Sequence, residues 1–572
     1  MNRNSKSHFS ATDNRINIGR SRFDRSSWWK GTMATGSLVP FYIDECLPGD
    51  SFDMKTSVLC RMATPLFPVM DNAYLDTYFF FVPNRLVWDH WQEFNGENDL
   101  NAWVQTMDYE IPGITFDIGG LRWDYEAGHS VTSTEFSLAD YFGLPTRSGH
   151  LTDKVSSLPF RAYQLIWNEW FRDQNLQDPI LIPKGDSDED DIDVAQQMMS
   201  VRPVNKFHDY FTSCLPAPQK GSAVLIPGFE GSSAVGTSPV VNIFSRPLTW
   251  SAVNNSSISS DSGYVDLVIA TGTDDNGNIN RSVAVQDSSL DATYRRSVFP
   301  NNLVVAQNSL ASIDALRFAF QLQKLLWRDG NGGSRYTEII RSHFGVVSPD
   351  ARLQRPEYLG GKRIPITVNQ VIQTSSTDNT SPQGNTAAVS KTVDSFNGFT
   401  KSFTEHGFIV GVCCIRTDHT YQNGINRMWS RKDRFDFYWP EFAHIGEQAV
   451  LNKEIYFDSD YNSQSNNPNA YNKGVFGYQE AWAEYRYRPS FVTGAFRSNY
   501  SGGSLDAWHY ADDYDSQVYL SGDWIVESPT NVARTLAVTG RQNEQWLLDF
   551  YFDLKTTRPM PVYSVPGLVD HF

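Results

Sequence analysis

The chain has 572 residues, a formal net charge of −17 and an aromatic content of 14%. This length allows a large core, and the negative charge excludes a body that binds nucleic acid in general. The absence of any run of about eighteen apolar residues excludes a membrane-spanning helix, and residues 1–6 have no apolar segment behind them, unlike a signal peptide.

Residues 1–30 form a basic segment ahead of an acidic body. Their net charge is +5, which leaves −22 for the rest of the chain. We predict a mobile or induced-fit arm, and two interpretations stay open: contact with a polyanion, or a disordered tail whose charge aids solubility. Trp28 and Trp29 either stack on bases or anchor the arm against the body. The basic side chains are Arg3, Lys6, Arg15, Arg20, Arg22, Arg25 and Lys30.

Apolar periodicity predicts a few helices among many strands. Apolar side chains at i, i+3, i+4, i+7 and i+8 predict a helix over 159–171 and another over 313–328 that ends at Gly330. Extended patterns between Pro and Gly turns predict strands at 53–62, 74–82, 408–415 and 480–487. Strands at both ends, with helices in long connections, favour one mainly β domain over 31–572.

Polar islands interrupt this domain. In residues 231–290, 33 of 60 residues are Ser, Thr, Asn, Asp or Gly and three are aromatic, too few for a core like that of the rest. We predict a surface insertion at 225–300 with strands near 264–269 and 282–285. Smaller polar loops are predicted at 373–400 and 460–474.

The C-terminal segment combines a strand with a proline-rich tail. Trp546, Leu548, Phe550 and Phe552 recur at the period of a strand with one buried face, and three prolines follow. Either the strand folds back on its own domain, or the tail continues along a neighbouring subunit. The candidate inter-subunit side chains are Met560, Val562, Tyr563, Val565, Leu568 and Phe572.

The search for catalytic or ligand motifs is negative. Lys362 of a glycine-lysine sequence is followed by Arg363 where a phosphate loop needs Ser or Thr. Asp186, Asp188 and Asp190 match a calcium loop, but Asp191 and Gln197 break the template, so a weakly cation-attracting acidic loop is predicted at 186–193. We expect no catalytic, cofactor or metal residues. His343, His406, His419 and His444 are expected to be structural, and Cys46, Cys60, Cys214, Cys413 and Cys414 to be buried, reduced thiols.

Several long segments share a family resemblance. They are FRAYQLIWNE at 160–169, YFTSCLP at 210–216 with PQKG at 218–221, FQLQK at 320–324, residues 335–345 and 352–358, YQEAWAEYR at 478–486, and the tail. In this order the chain resembles the major capsid protein of the gokushoviruses, which are phages of the Microviridae.

The resemblance implies a viral single jelly roll of eight antiparallel strands in two sheets with long insertions. It implies a structural protein that self-assembles into a T=1 icosahedral shell around a circular single-stranded DNA genome. The insertion at 225–300 is then a threefold protrusion that contacts a host receptor, and a small basic packaging protein is a partner. The location implied is the virion, assembled in the bacterial cytoplasm.

Two other function classes fit part of the sequence. A carbohydrate-binding β protein or a glycosidase would also explain abundant Trp and Tyr. A phage spike or tail fibre would usually trimerise through internal repeats, and the sequence has none.

Overall fold

The computed structural model describes residues 19–97, 109–114, 136–145, 154–189, 192–221, 224, 250–252, 266–273, 279–286, 298–300, 313–350, 354–375, 377, 382–459, 468–538 and 542–563. The chain divides into unit 1, Met1–Lys220 with Trp327–Phe572, and unit 2, Gly221–Leu326. Within the described residues, no helix has the length and apolar run needed to cross a bilayer.

Strands dominate unit 1. Their bounds, in chain order and with those of unit 2 included, are β1 Ser21–Asp24, β2 Ser27–Met33, β3 Ser37–Cys46, β4 Ser51–Met62, β5 Ala73–Pro83, β6 Gly113–Ile114, β7 Val155–Ser156, β8 Arg202–Pro203, β9 Trp250–Ala252, β10 Asp266–Thr273, β11 Ile279–Gln286, β12 Val298–Pro300, β13 Glu357–Pro365, β14 Val368–Ile372, β15 Thr386–Ser390, β16 Thr392–Ser402, β17 Gly407–Thr417, β18 Thr420–Tyr421, β19 Glu447–Leu451, β20 Val475–Glu480, β21 Ser490–Phe491 and β22 Trp546–Arg558. The predicted strands at 53–62, 74–82, 408–415 and 546–552 are confirmed as β4, β5, β17 and β22.

Helices are fewer and mostly short. They are α1 Trp91–Phe94, α2 Leu138–Tyr141, α3 Leu158–Ile166, α4 Ile192–Met199, α5 Ile313–Gly332, α6 Tyr336–Phe344, α7 Asn452–Ile455, α8 Pro468–Lys473, α9 Ala483–Arg486 and α10 Thr530–Ala533. The two predicted helices are confirmed: α3 continues as a π-helical turn, Trp167–Phe171, and α5 ends two residues beyond Gly330.

Two antiparallel sheets form the body of unit 1. Sheet 1 has the order β1/β2–β22–β4–β16, in which β1 and β2 pair one after the other along the same edge of β22. Sheet 2 has the order β13–β5–β17–β3–β8, and β8 is only two residues long. With β1 and β2 counted as one position and the two-residue β8 left out, the two sheets have eight strand positions. This confirms the predicted mainly β fold, which is that of a jelly-roll capsid protein.

The connection from sheet 1 to sheet 2 depends on one glycine. Gly36, between β2 and β3, has φ +81°, and a Cβ there would lie 2.2 Å from the carbonyl oxygen of Glu527. Only glycine fits this tight left-handed turn, so the chain can leave one sheet and enter the other within three residues.

The main core lies between the two sheets. Trp546, Leu548, Phe550 and Phe552 of β22 are buried, as their period-two spacing predicts, and Phe41 of β3 stacks on Phe550 with ring centroids 4.4 Å apart. Rings from both sheets share this layer, and flat aromatic side chains fill the space between pleated surfaces efficiently. All five cysteines are buried and unpaired.

A helical layer covers the other face of sheet 2. Buried side chains of α3 and α4 pack with Phe80, Val82 and Val412 in a second apolar cluster. Arg161 of α3 is also buried there, and its Nε donates to Glu189 Oε1 at 2.7 Å. The ion pair offsets the desolvation cost of burying these two charges.

Three sequence predictions are wrong in unit 1. The predicted loop 373–400 contains β15 and most of β16, the edge strand of sheet 1. The exposed side chains of β16, Ser395, Asn397 and Thr400 among them, make it look polar in composition. The predicted loop 460–474 contains α8, while 460–467 lie outside the described residues. The predicted strand 480–487 is the end of β20 followed by α9, since Trp482 has φ +69° and breaks the extended chain.

Unit 2 is described through its strands. β10 pairs with β11 in an antiparallel hairpin, and β9 pairs with β12. The strands predicted near 264–269 and 282–285 are therefore confirmed. The predicted insertion at 225–300 falls within the sequence range of unit 2.

Candidate functional site

The predicted basic arm is only partly an arm. Residues 21–30 lie in or between β1 and β2, so the prediction of a mobile segment is wrong for them. The sequence rule failed because their apolar side chains are few, yet the backbone finds a complete hydrogen-bonding partner in β22. Arg3, Lys6 and Arg15 lie outside the described residues.

The described cations of the arm differ in their partners. Arg25 makes two hydrogen bonds to the Asp44 carboxylate, at 2.6 and 3.0 Å, and Lys30 lies 3.8 Å from Asp549. Arg20 donates to the carbonyl oxygen of Gly49, and Arg22 is exposed. Only part of the predicted positive charge is therefore open to a polyanion.

The adjacent tryptophans anchor this segment to the body. The Trp29 ring lies 5.9 Å from that of Phe550 and 6.5 Å from that of Phe41, in the core between the sheets. Trp28 stays exposed and lies 4.8 Å from Tyr551 on the outer face. The anchoring interpretation is confirmed for Trp29.

The predicted inter-subunit tail begins where β22 ends. Trp546–Arg558 completes the sheet of its own unit, so that part of the segment folds back on its own domain. Beyond it, Met560 is half-buried, while Val562 and Tyr563 are 62% and 80% exposed. Val565, Leu568 and Phe572 lie outside the described residues. Contact between this tail and a neighbouring subunit stays a prediction.

A pocket of about 890 Å³ in unit 1 joins residues that are distant in sequence. We name it the cationic pocket, because five cationic side chains line it against the two carboxylates of Asp173 and Glu338. The cationic residues are Arg172, Lys206, Arg335, Arg363 and Arg416; the aromatic ones are Tyr78, Phe80, Trp170, Phe171, Phe207 and Tyr358.

Two arginines on one side of the cationic pocket share a single carboxylate. Arg363 Nε lies 2.7 Å from Asp76 Oδ1, and Arg416 donates to Asp76 Oδ2. The hydrogen bond to Asp76 raises the pKa of Arg363. Both guanidinium groups also lie over the Phe207 ring, 4.4 and 4.2 Å from its centroid. One positive charge remains after pairing, held rigidly against an aromatic ring.

Two further arginines lie on the other side: Arg335 pairs with Glu338 at 3.3 Å, and Arg172 donates to the carbonyl oxygen of Gln177 at 2.7 Å. Arg335 Nη2 donates to the carbonyl oxygens of Asn168 and Arg172, at 2.8 and 3.2 Å. Burial lowers the pKa of Arg172, and the neighbouring Arg335 lowers it further. Among the described residues, the buried Nε atoms of Arg172, Arg335 and Arg416 have no acceptor. The cationic side chains that line the pocket outnumber its carboxylates by five to two, which favours an anion there.

Sequence reasoning missed the cationic pocket because its arginines are scattered along the chain. In the sequence, a run of positive charge marks only the arm. Arg172 follows the π-helical turn, Arg335 precedes α6, and Arg363 and Arg416 lie on β13 and β17, so only the folded structure brings them together. No local sequence signal marks them.

The acidic loop at 186–193 uses its described carboxylates within the protein. Asp186 accepts from Trp88 Nε1 and lies 2.8 Å from His90 Nδ1. Asp188 accepts from the backbone N–H of Gly113 and from Lys154 Nζ. Asp190 lies outside the described residues. The described part of the chain brings together no group of three or more His, Cys, Asp or Glu side chains that could hold a metal ion.

Among the described histidines, His419 has the most strongly shifted pKa, and its surroundings make it structural. Its ring lies buried between Asp512, 3.1 Å from Nδ1, and Glu527, 2.8 Å from Nε2, while Lys206 also reaches Asp512. Burial alone would lower the pKa of His419, but the two carboxylates outweigh it and raise that pKa to about 10. The ring is therefore protonated at neutral pH and cannot serve as a general base there.

Comparison with known proteins gives one consistent result. A family model described as "Capsid protein (F protein)" matches residues 13–568. Capsid protein VP1 of Bdellovibrio phage phiMH2K is 41% identical over 567 residues, covering 97% of each chain. Capsid protein VP1 of Chlamydia phage 1 is 40% identical over 592 residues, covering 96% of each. Capsid protein VP1 of Spiroplasma virus 4 is 38% identical over 547 residues, covering 93% of this chain and 92% of that one.

Proposed function

The chain belongs to the capsid protein (F protein) family, and from that premise we propose that its copies close into a T=1 icosahedral shell around a circular single-stranded DNA genome. The resemblance to the gokushovirus major capsid protein is confirmed, and the chain is a structural protein, not an enzyme. The observation that carries the proposal is the match of nearly the whole chain to capsid proteins of full length.

Closure into a shell agrees with the areas that protein interfaces usually bury. Standard interfaces of about 1,600 Å² are individually modest, but each subunit in a closed shell has several of them. Negative-stain microscopy of the purified protein tests the proposal, and we expect closed shells of one diameter. Monomers that bind a glycan array and never form shells would instead support the carbohydrate-binding class.

We propose that the genome contact combines the arm with the cationic pocket. The arm contributes Arg3, Lys6 and Arg15 from its first part, and the exposed Arg22. The cationic pocket contributes guanidinium groups beside aromatic rings, a combination suited to phosphate and base. Because the body as a whole is strongly negative, most of the genome charge needs another neutraliser, which supports a small basic packaging protein as a partner.

Salt dependence of DNA binding gives a direct test. Starting the chain at Arg20 removes three arm cations and keeps β1 and β2, so the slope of log-affinity against log-salt should become shallower by about 2, at roughly 0.7 per phosphate contact. Arg363→Gln keeps the Arg416–Asp76 pair and should make the slope shallower by about 0.7. The measurement titrates labelled single-stranded DNA across a salt series.

Lys391→Gln is the matched control, since Lys391 is exposed and lies outside the arm and the pocket. Its slope should equal that of the unaltered chain. If the shortened chain and Arg363→Gln also keep the full slope, neither the arm nor the pocket binds the genome backbone.

We propose that the insertion at 225–300 is the threefold protrusion and contacts the bacterial host. Its low aromatic content supports an exposed element with little core of its own. Replacing residues 254–296 with a short Gly/Ser linker removes β10 and β11 and keeps the β9–β12 pair. The entropic change from loop length is small, under about 2 kcal/mol, so the subunit should still fold and form particles.

Host adsorption of these particles should fall sharply, measured as the fraction of particles left unbound after mixing with host cells. Replacing residues 378–381 with a linker of equal length is the control, because it alters a different polar loop. Normal adsorption of the shortened particles would remove the receptor role from this insertion, and insoluble protein would show that the segment is structural.

A further inference from the structure

Residues 424–446 combine two properties that rarely occur together. None of them is buried, yet six of the 23 are aromatic, nearly twice the fraction of the whole chain. Aromatic rings of residues 485–491 extend the same kind of exposed surface. We name this set of exposed side chains the aromatic belt: Met428, Trp429, Phe435, Phe437, Tyr438, Trp439, Ile445, Tyr485, Tyr487 and Phe491.

The backbone under the aromatic belt is held by polar contacts instead of a core. Asp436 accepts the backbone N–H groups of Lys432 and Asp433, at 2.7 and 3.0 Å, and these bonds lower its pKa. Trp439 Nε1 donates to the carbonyl oxygen of Arg434, and Trp482 Nε1 donates to that of Phe442. The rings are thus fixed before any partner arrives, which reduces the entropy lost on binding.

Arginines reinforce the same arrangement. Arg431 pairs with Glu484 at 3.1 Å and lies over the rings of Tyr485 and Phe437, at 4.4 and 5.3 Å. Arg434 lies over Phe435 and Trp439, at 5.3 and 5.4 Å. Trp, Tyr, Phe, Met and Arg are the residues enriched at protein interfaces.

The exposed apolar area is too large for a surface that stays in water. An aromatic side chain has a surface area of about 150–250 Å². The ten belt side chains are between 41% and 75% exposed, so their exposed area is on the order of 1,000 Å². The largest apolar patch on a typical monomer is about 300–600 Å². A standard interface covers about 800 Å² per partner. Summed over its ten side chains, the exposed area of the aromatic belt is of the order of one such interface.

Charge also indicates what covers it. Residues 424–446 carry four Arg or Lys and three Asp or Glu side chains, a net charge of +1 in a chain of −17. Another copy of this chain would therefore offer a mainly acidic surface, which the belt can meet without charge repulsion.

We propose that the aromatic belt is a subunit interface, and that its occupant is a second copy of this chain. The inference rests on the proposed shell assembly and names one surface through which it occurs. Trp429 and Phe435, the two most exposed aromatic rings of the belt, are its central contacts.

A double substitution tests the proposal. Trp429→Ser with Phe435→Ser should leave the subunit folded, by circular dichroism and thermal unfolding, because neither side chain contributes to a core. Particle yield should fall at least tenfold in sedimentation and electron microscopy. Leu181→Ser with Tyr519→Ser is the matched control, since these side chains are comparably exposed outside the belt, and its yield should equal that of the unaltered chain.

Chemical protection provides a second measurement that no folding defect can obscure. Trp429 of the unaltered chain should be oxidised at least tenfold more slowly in intact particles than in dissociated subunits, with buried Trp88 unreactive in both. Equal oxidation rates, or normal particle yield from the belt variant, would overturn the proposal. Belt-variant particles that form normally but lose host adsorption would also overturn it, because the occupant would then be a host molecule. Absence of particles from the unaltered chain would instead count against shell assembly itself.

Discussion

A chain that ends at Arg558 should fold but not assemble. The truncation keeps all of β22, including the pairing of Arg558 with Ser21, so sheet 1 stays complete. It removes Val562 and Tyr563, which are exposed in the isolated subunit, and the other candidate inter-subunit side chains of the tail. Burial of such side chains against a neighbour contributes about 1.5–3 kcal/mol each, so losing several of them is enough to stop shell closure.

Analytical ultracentrifugation of the truncated chain should show a single small species with an intact near-ultraviolet spectrum. A full-length chain with Val562→Ser and Tyr563→Ser should lose part of its particle yield. This variant measures the contribution of Val562 and Tyr563 apart from that of residues 564–572. Normal assembly of the truncated chains would show that the tail makes no contact that shell closure needs.

Phe550→Ala should destabilise the subunit by about 3–5 kcal/mol, through lost burial and the cavity that remains. Phe550 is fully buried, stacks on Phe41 with an interplanar angle of 14°, and lies beside Phe552 at 6.1 Å. Sheet 1 and sheet 2 both line this position, so neither can close the cavity without moving against the other.

Urea unfolding of the unassembled, truncated chain measures this change without interference from shell contacts. Leu547→Ala is the control on the same strand, because Leu547 is on the opposite face and 47% exposed. Its effect should stay within about 0.5 kcal/mol. A similar loss from both substitutions would mean that the core does not lie between the two sheets.

The sequence reveals the body of this fold well where each strand buries one face. The period-two spacing of β22 is visible because its inward residues are aromatic, and β5 and β17 are visible because they are apolar on both faces. β16 is hidden because its exposed Ser395, Asn397 and Thr400, together with the half-buried Asp394 and Lys401, give it the composition of a loop. β1 and β2 are hidden because they become strands only by pairing with the edge of β22, more than five hundred positions away.

The candidate functional residues are harder to predict for a related reason. Charge runs and terminal tails are local, so the arm and the tail could be named from sequence. The arginines of the cationic pocket and the rings of the aromatic belt become a surface only after folding. Trp429 or Phe435 in sequence looks like a core residue, and only its exposure distinguishes an interface from a core.

The central position of β22 also sets the order of events in synthesis. Sheet 1 needs this strand between β2 and β4, pairing Ser21 with Arg558 and Met62 with Trp546. Such a high contact order slows folding, and the sandwich cannot close while the ribosome still holds residues 546–558. Throughout elongation β4 keeps an open edge that invites aggregation. Closure of the sandwich therefore waits for β22, the last of its strands in chain order.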